Sequence, residues 1–154
     1  MNVIKSSLNG VKLLAPTVYS DARGQFYESY QQRTFQDLGI TDTFVQENHS
    51  ISIKGTLRGL HFQVAPNAQV KLVQVLEGSV FDAVVDIRPE SPTYGQWVGE
   101  HLSAENRHQL YIPVGFAHGF YVLSEQAQFS YKCSTFYAPE SERSLHYADP
   151  DIGI

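Results

Sequence analysis

The sequence predicts an all-β protein, an antiparallel double-sheet barrel of the jelly-roll type with one or two short helices. Three observations lead there. Short runs rich in β-branched and aromatic residues recur between evenly spread turn signals, at Gly10, Asp21 to Gly24, Gly39, Gly55, Pro66-Asn67, Glu77-Gly78, Pro89 to Pro92, Gly95 and Pro113 to Gly115. Within these runs, neighbouring positions divide onto two faces, as they do in a strand. Only Gln31 to Leu38 reads as a helix, with Gly39 set to end it.

Taken in order, each element carries a further expectation. From Phe44 to Ser52, one face holds Gln46, Asn48 and Ser50 and the other Val45, Glu47, His49 and Ile51. Neither face is apolar, so the strand is a solvated edge or the wall of a polar pocket. Val70 to Leu76 and Ser79 to Ile87 are strongly apolar and are joined by Glu77-Gly78, which predicts a hairpin at the centre of the sheet. Asp82 and Asp86 share a face with Val80 and Val84; a buried carboxylate without donors is costly, so each must meet a wet pocket or anchor a turn. His118, Phe120 and Val122 line up on one side of Gly115 to Leu123. Phe129, Tyr131, Cys133 and Tyr137 do the same in Ala127 to Tyr137, which points Tyr131 inward. The whole is a barrel of the jelly-roll or cupin type whose mouth can hold a ligand, although periodicity alone does not separate it from another all-β sandwich.

At 154 residues the chain suits one domain, 1–154, large enough to bury a core without staples. A formal net charge of −5 argues against a general nucleic-acid binder, yet leaves room for a pocket that holds one or two phosphates. The single cysteine, Cys133, precludes an intrachain disulfide and points to a reducing cytoplasm. The N-terminal residues lack the apolar run of a signal peptide, and no stretch is apolar for the roughly 18 residues that a membrane span requires.

Six histidines invite a metal hypothesis. Metal-binding cupins present His-x-His, then Glu, then a His from a Pro-x-Gly-x-x-His turn. The last piece is here, Pro113 to His118, but the first reads His61-Phe62-Gln63, and a neutral amide is a poor ligand for zinc or iron. No catalytic metal is expected. What remains is His61, Lys71 and Tyr131 on inward or near-inward positions. An imidazole titrates near working pH and can take a proton from carbon. A lysine can stabilise a developing enolate oxygen, and a phenol can deliver a proton from the other side. Each also has a structural reading: a hydrogen-bonded barrel histidine, an edge lysine, a core tyrosine. Arg23, beside Gly24, and Arg58, before Gly59, suit an anion. Strict alternation sends Arg58 and His61 to opposite faces, and a bulge at Gly59 returns both to the pocket. Two arginines in surface turns are the competing reading.

Several long stretches decide between these readings: Asp21 to Phe26 (DARGQF), Gln46 to Ser50 (QENHS), Leu57 to Gln63 (LRGLHFQ), Val80 to Arg88 (VFDAVVDIR), Ser91 to Gly95 (SPTYG), Leu102 to Asn106 (LSAEN) and Ile112 to Phe120 (IPVGFAHGF). In order and spacing they resemble the dTDP-4-dehydrorhamnose 3,5-epimerases across nearly the whole chain. The resemblance implies a cupin fold, a homodimer that exchanges N-terminal strands, and the substrate dTDP-4-dehydro-6-deoxy-D-glucose inverted at C3 and C5 without a cofactor. It implies His61 as the base, Lys71 beside the enolate oxygen and Tyr131 as the acid. It also implies Arg23, Arg58 and His118 near the diphosphate, Phe26, Glu28, Gln46 and Asn48 around the nucleotide, and Tyr137 as an aromatic at the pocket. The alternatives are a single-site epimerase and a catalytically silent sugar-nucleotide-binding cupin.

The chain departs from the family pattern in two places. The family's basic His pairs with an Asp in a C-terminal segment that follows a stretch like Asp149 to Ile154, where this sequence ends. Val70 stands where Gly commonly precedes the Lys, a change expected to shift Lys71 slightly.

Overall fold

The computed structural model describes residues 1–154. In chain order the elements are β1 (Asn2–Ser7), β2 (Val11–Ala15), β3 (Val18–Asp21), β4 (Gly24–Tyr27), α1 (Gln32–Asp37), β5 (Gln46–Ile53), β6 (Leu57–Gln63), β7 (Lys71–Glu77), β8 (Ser79–Asp86), β9 (Trp97–Ser103), β10 (Gln109–Ile112), β11 (Phe116–Val122), β12 (Gln126–Cys133), a 3-10 turn (Pro139–Ser141) and β13 (Glu142–Ser144). One sheet runs β1-β2-β10-β7-β12-β5 and the other β13-β6-β11-β8-β9, with β3 and β4 forming a separate ribbon. Every pairing is antiparallel. This is the double-sheet jelly roll that the strand pattern predicts.

The core lies between the two sheets. Val11, Leu13, Val73, Val75 and Phe129 from the first meet Val80, Val84, Phe120 and Val122 from the second, all buried. Burying apolar side chains such as these stabilises the fold by about 1.5–3 kcal/mol apiece. The outer faces are covered as well. Helix α1 places Phe35 over Leu14, Leu72, Val70 and Tyr111. Its N-terminus is capped by the Gln31 side chain, which accepts from the Thr34 amide at 2.8 Å, and Gly39 follows its last residues. On the other sheet, Leu60, Ala83, Val85 and Ala117 are overlaid by Leu145 and Ile152. No helix is long and apolar enough to cross a membrane.

The expected hairpin at Glu77-Gly78 is not formed. β7 pairs with β10 and β12, while β8 pairs with β11 and β9 in the opposite sheet. Gly78, at φ +76°, turns the chain across the edge of the sandwich, where a side chain would run into the Gln126 carbonyl and Ser124. Both strands carry apolar residues facing the barrel interior, so stacking them face to face buries more than pairing them side by side.

The two buried aspartates take separate routes. Asp82 accepts from His118 inside the barrel. Asp86 anchors the turn after β8, accepting from Arg88, Ser91 and Thr93.

Candidate active site

A cavity of about 350 Å³ opens at one end of the sandwich, between β5, β12 and β7 on one side and β6 and β13 on the other. His61, Lys71 and Tyr131 line it, with Gln46 and Asn48. Alternation puts them there: Lys71 and Val73 point inward from β7, and their cross-strand partners on β12 are Cys133 and Tyr131. Asn48 is the partner of Tyr131 on β5. The mixed character of β5 thus has both expected causes, since it is a sheet edge and a pocket wall. Val70 packs into the α1 cluster on the opposite face of the sheet from the cavity, which accommodates its branched side chain.

A smaller hollow of about 110 Å³ adjoins the cavity and shares Lys71 and Tyr131 with it; Arg58, His118 and Ser50 complete its polar lining. Arg58 and His61 reach the same region because β6 is bulged. Against β11, His61 pairs with His118 and Arg58 with Phe120, so two residues of β6 stand opposite Gly119 alone. Gly59 has φ +127°, and a Cβ there would lie 2.5 Å from the Gly119 Cα. Only glycine suits both the dihedral and the approach.

The electrostatics differ from residue to residue. Removal from water lowers the His61 imidazole below its ordinary value; the Glu142 carboxylate pulls it back up, and Lys71 and His118 push it down. Burial likewise lowers the Lys71 ammonium and raises the Tyr131 phenol. The Lys71 Nζ lies 5.9 Å from the Tyr131 ring centre, and the Tyr131 ring packs against Phe129. His118 Nε2 lies 3.0 and 2.9 Å from the two oxygens of the fully buried Asp82. Arg58 Nε donates to Ser52 Oγ at 2.9 Å, leaving the rest of its guanidinium free of protein partners. No three His, Cys, Asp or Glu side chains cluster as a metal ion requires.

Not every expected residue meets here. Arg23 and Phe26 sit on the β3–β4 ribbon outside the cavity, where Arg23 pairs with Asp21 at 2.6 Å and Phe26 is 71% exposed. Glu28, just beyond, accepts from Thr34 Oγ1 at 3.2 Å. Tyr137 lines the cavity, and its hydroxyl donates to Glu142 at 2.8 Å. Reading the sequence missed Glu142 itself. It belongs to a strand of three residues that carries no visible alternation, and its place beside the cavity depends on β13 pairing with β6.

Comparison with known proteins adds the decisive observation: the family model described as dTDP-4-dehydrorhamnose 3,5-epimerase matches residues 5–154. The chain belongs to the dTDP-4-dehydrorhamnose 3,5-epimerase family. It is 58% identical to the dTDP-4-dehydrorhamnose 3,5-epimerase of Salmonella typhimurium, over all of this chain and 85% of that one. Among solved structures it resembles the dTDP-6-deoxy-D-glucose-3,5-epimerase of Legionella pneumophila in complex with dTDP-4-keto-L-rhamnose (TM-score 0.95, 56% identity, covering 99% of this chain and 81% of that one). It also resembles the dTDP-4-dehydrorhamnose 3,5-epimerase of Bacillus anthracis with TDP and PPi bound (TM-score 0.98, 44% identity, 99% and 88%). The jelly roll described above is therefore an epimerase-family cupin.

Proposed function

We propose that this epimerase-family chain converts dTDP-4-dehydro-6-deoxy-D-glucose to dTDP-4-dehydro-L-rhamnose, inverting C3 and C5, and that residues 1–154 act as one catalytic domain. The observation that carries this reading is a neutral-leaning imidazole, an ammonium and a phenol around one cavity in a chain of this family.

The ketone at C4 acidifies the C–H bonds at both neighbours. His61 takes the proton from carbon as the electron pair moves into the C4 oxygen to form an enolate. Lys71 stabilises that oxygen. Tyr131 returns a proton to the opposite face of the carbon, the enolate collapses to the ketone, and the stereocentre is inverted. Once His61 has given its proton up to solvent and Tyr131 has regained one, the same sequence at the second carbon completes the reaction. Because carbonyl chemistry supplies the acidity, the mechanism calls on no cofactor.

Arg58 and His118 bind the diphosphate in this reading, Gln46 and Asn48 contact the nucleotide, and Tyr137 is an aromatic of the pocket wall beside them. Arg23, Phe26 and Glu28 act in trans. The exposed Phe26 ribbon and the unpaired outer edge of β5 favour a homodimer in which N-terminal strands of one copy complete the pocket of the other. A buried lone Cys133 accords with a cytoplasmic protein.

The test is incubation with the 4-keto sugar nucleotide in deuterated water. Solvent deuterium is expected at both C3 and C5. Label at one carbon alone would mean a single-site epimerase, and binding without label a silent module.

A further inference from the structure

Gln63 occupies the position where a metal-binding barrel sets its second imidazole, and its side chain is fully engaged. It is 7% exposed. Its Nε2 donates to the Asn67 carbonyl at 2.6 Å and the Phe136 carbonyl at 3.3 Å, while its Oε1 accepts from the Ala138 amide at 2.9 Å. Between the last two anchor points lies Tyr137, whose own amide donates to Gln46 Oε1 at 3.0 Å. Phe136, Tyr137 and Ala138 belong to no strand. Two glutamine side chains, reaching from β5 in one sheet and β6 in the other, supply the partners that a ladder would otherwise provide.

We propose that Gln63 is a positioning residue. By holding Phe136 to Ala138 against β6, it sets where the Tyr137 ring stands at the cavity mouth, and it thereby governs affinity for the nucleotide part of the substrate without entering the proton transfers. This rests on the place given above to Tyr137, beside the nucleotide contacts Gln46 and Asn48. The chemistry of the loop explains the residue type. Two carbonyls need donors and one amide needs an acceptor, and an uncharged primary amide offers all three from one short side chain. A carboxylate at neutral pH only accepts, and a neutral imidazole has a single donor.

Two variants test it. Gln63→Leu removes all three bonds at nearly constant volume. The Kd for dTDP and the KM are expected to rise about tenfold, the scale of one or two lost buried hydrogen bonds, while kcat at saturating substrate stays within about twofold. In the same variant the Ala138 amide is expected to exchange with solvent faster.

Gln63→Glu retains the acceptor for Ala138 but sets a carboxylate against two carbonyls. Relative to the parent chain at the same pH, its loss of dTDP affinity is expected to shrink from about tenfold near pH 8 to about twofold near pH 5, because a protonated carboxyl donates again. A side chain that merely fills space gives a defect independent of pH.

Unchanged dTDP affinity in Gln63→Leu, a fall in kcat matching the rise in KM, or a pH-independent defect in Gln63→Glu overturns the proposal. If Gln63→Leu fails to fold, the pH dependence of Gln63→Glu decides alone. If the parent chain binds no dTDP, the proposed function fails and takes the affinity claim with it. Unchanged exchange at Ala138 in Gln63→Leu overturns the pinning whatever the ligand.

Discussion

His61 and His118 are register partners across β6 and β11, yet only His118 is held by a carboxylate, Asp82. The pairing fixes the His118 ring, whereas His61 lines the cavity and feels Glu142 through space. One imidazole is thus held still, and the other faces the cavity.

A base works only when neutral, and the His61 pKa is lowered. The neutral form therefore persists to lower pH, and kcat/KM is expected to fall only as pH drops through a midpoint below the ordinary histidine value of about 6.5. Glu142→Gln removes the charge that raises this pKa, so the midpoint moves lower still. His61→Asn is expected to reduce kcat about a thousandfold and to stop deuterium entry at both carbons. The pH profile of kcat/KM checks the first two outcomes; a midpoint above 6.5, or one that Glu142→Gln raises, contradicts them.

Tyr131→Phe keeps the ring against Phe129 and removes only the hydroxyl. Inversion is expected to drop about a hundredfold while His61 still exchanges substrate hydrogen with solvent, giving deuterium in unreacted substrate. Mass spectrometry of recovered substrate and product separates the two. Equal loss of exchange and inversion would remove Tyr131 from the role of acid.

Arg58 is aimed by a single side-chain bond to Ser52. Arg58→Ala is expected to weaken dTDP binding by about 2 kcal/mol, the scale of a lost charge-assisted contact. Ser52→Ala, which loosens the aim and keeps the charge, should cost less than half of that. Calorimetric titration with dTDP reads both, and an unaltered affinity in Arg58→Ala would argue against a phosphate role.

Asp86 bears on stability alone. Burial by itself would raise its pKa, but hydrogen bonds from Arg88, Ser91 and Thr93 outweigh burial and hold the carboxyl well below the usual range. A carboxyl depressed in the folded state stabilises it fully above the unfolded value of about 3.9 and loses that contribution as pH falls further. Asp86→Asn is therefore expected to destabilise the fold by about 2 kcal/mol at neutral pH, with the gap to the parent narrowing below about pH 4. Urea unfolding at several pH values measures it, and a gap that widens in acid would contradict it.

Much of the site was legible because strand chemistry is local. Alternation pointed Tyr131 inward and put Gln46 and Asn48 on one face, and Gly59 announced the bulge that brings Arg58 and His61 together. Glu77-Gly78 misled for the same local reason. A turn dipeptide signals reversal, but pairing side by side and stacking face to face both reverse the chain, and which one occurs depends on what each strand finds elsewhere.

The amino-acid order alone was enough for an all-β barrel and an inward Tyr131, since the pleat of a strand assigns each side chain a face without reference to the rest of the molecule, and its long motifs were enough for the family. It could not say that Glu142 comes beside His61, that Asp82 serves His118, or that Gln63 and Gln46 grip the loop carrying Tyr137. Those contacts join residues 36 to 91 positions apart. Which distant groups meet is decided only when the strands choose neighbours and the two sheets close over a common core.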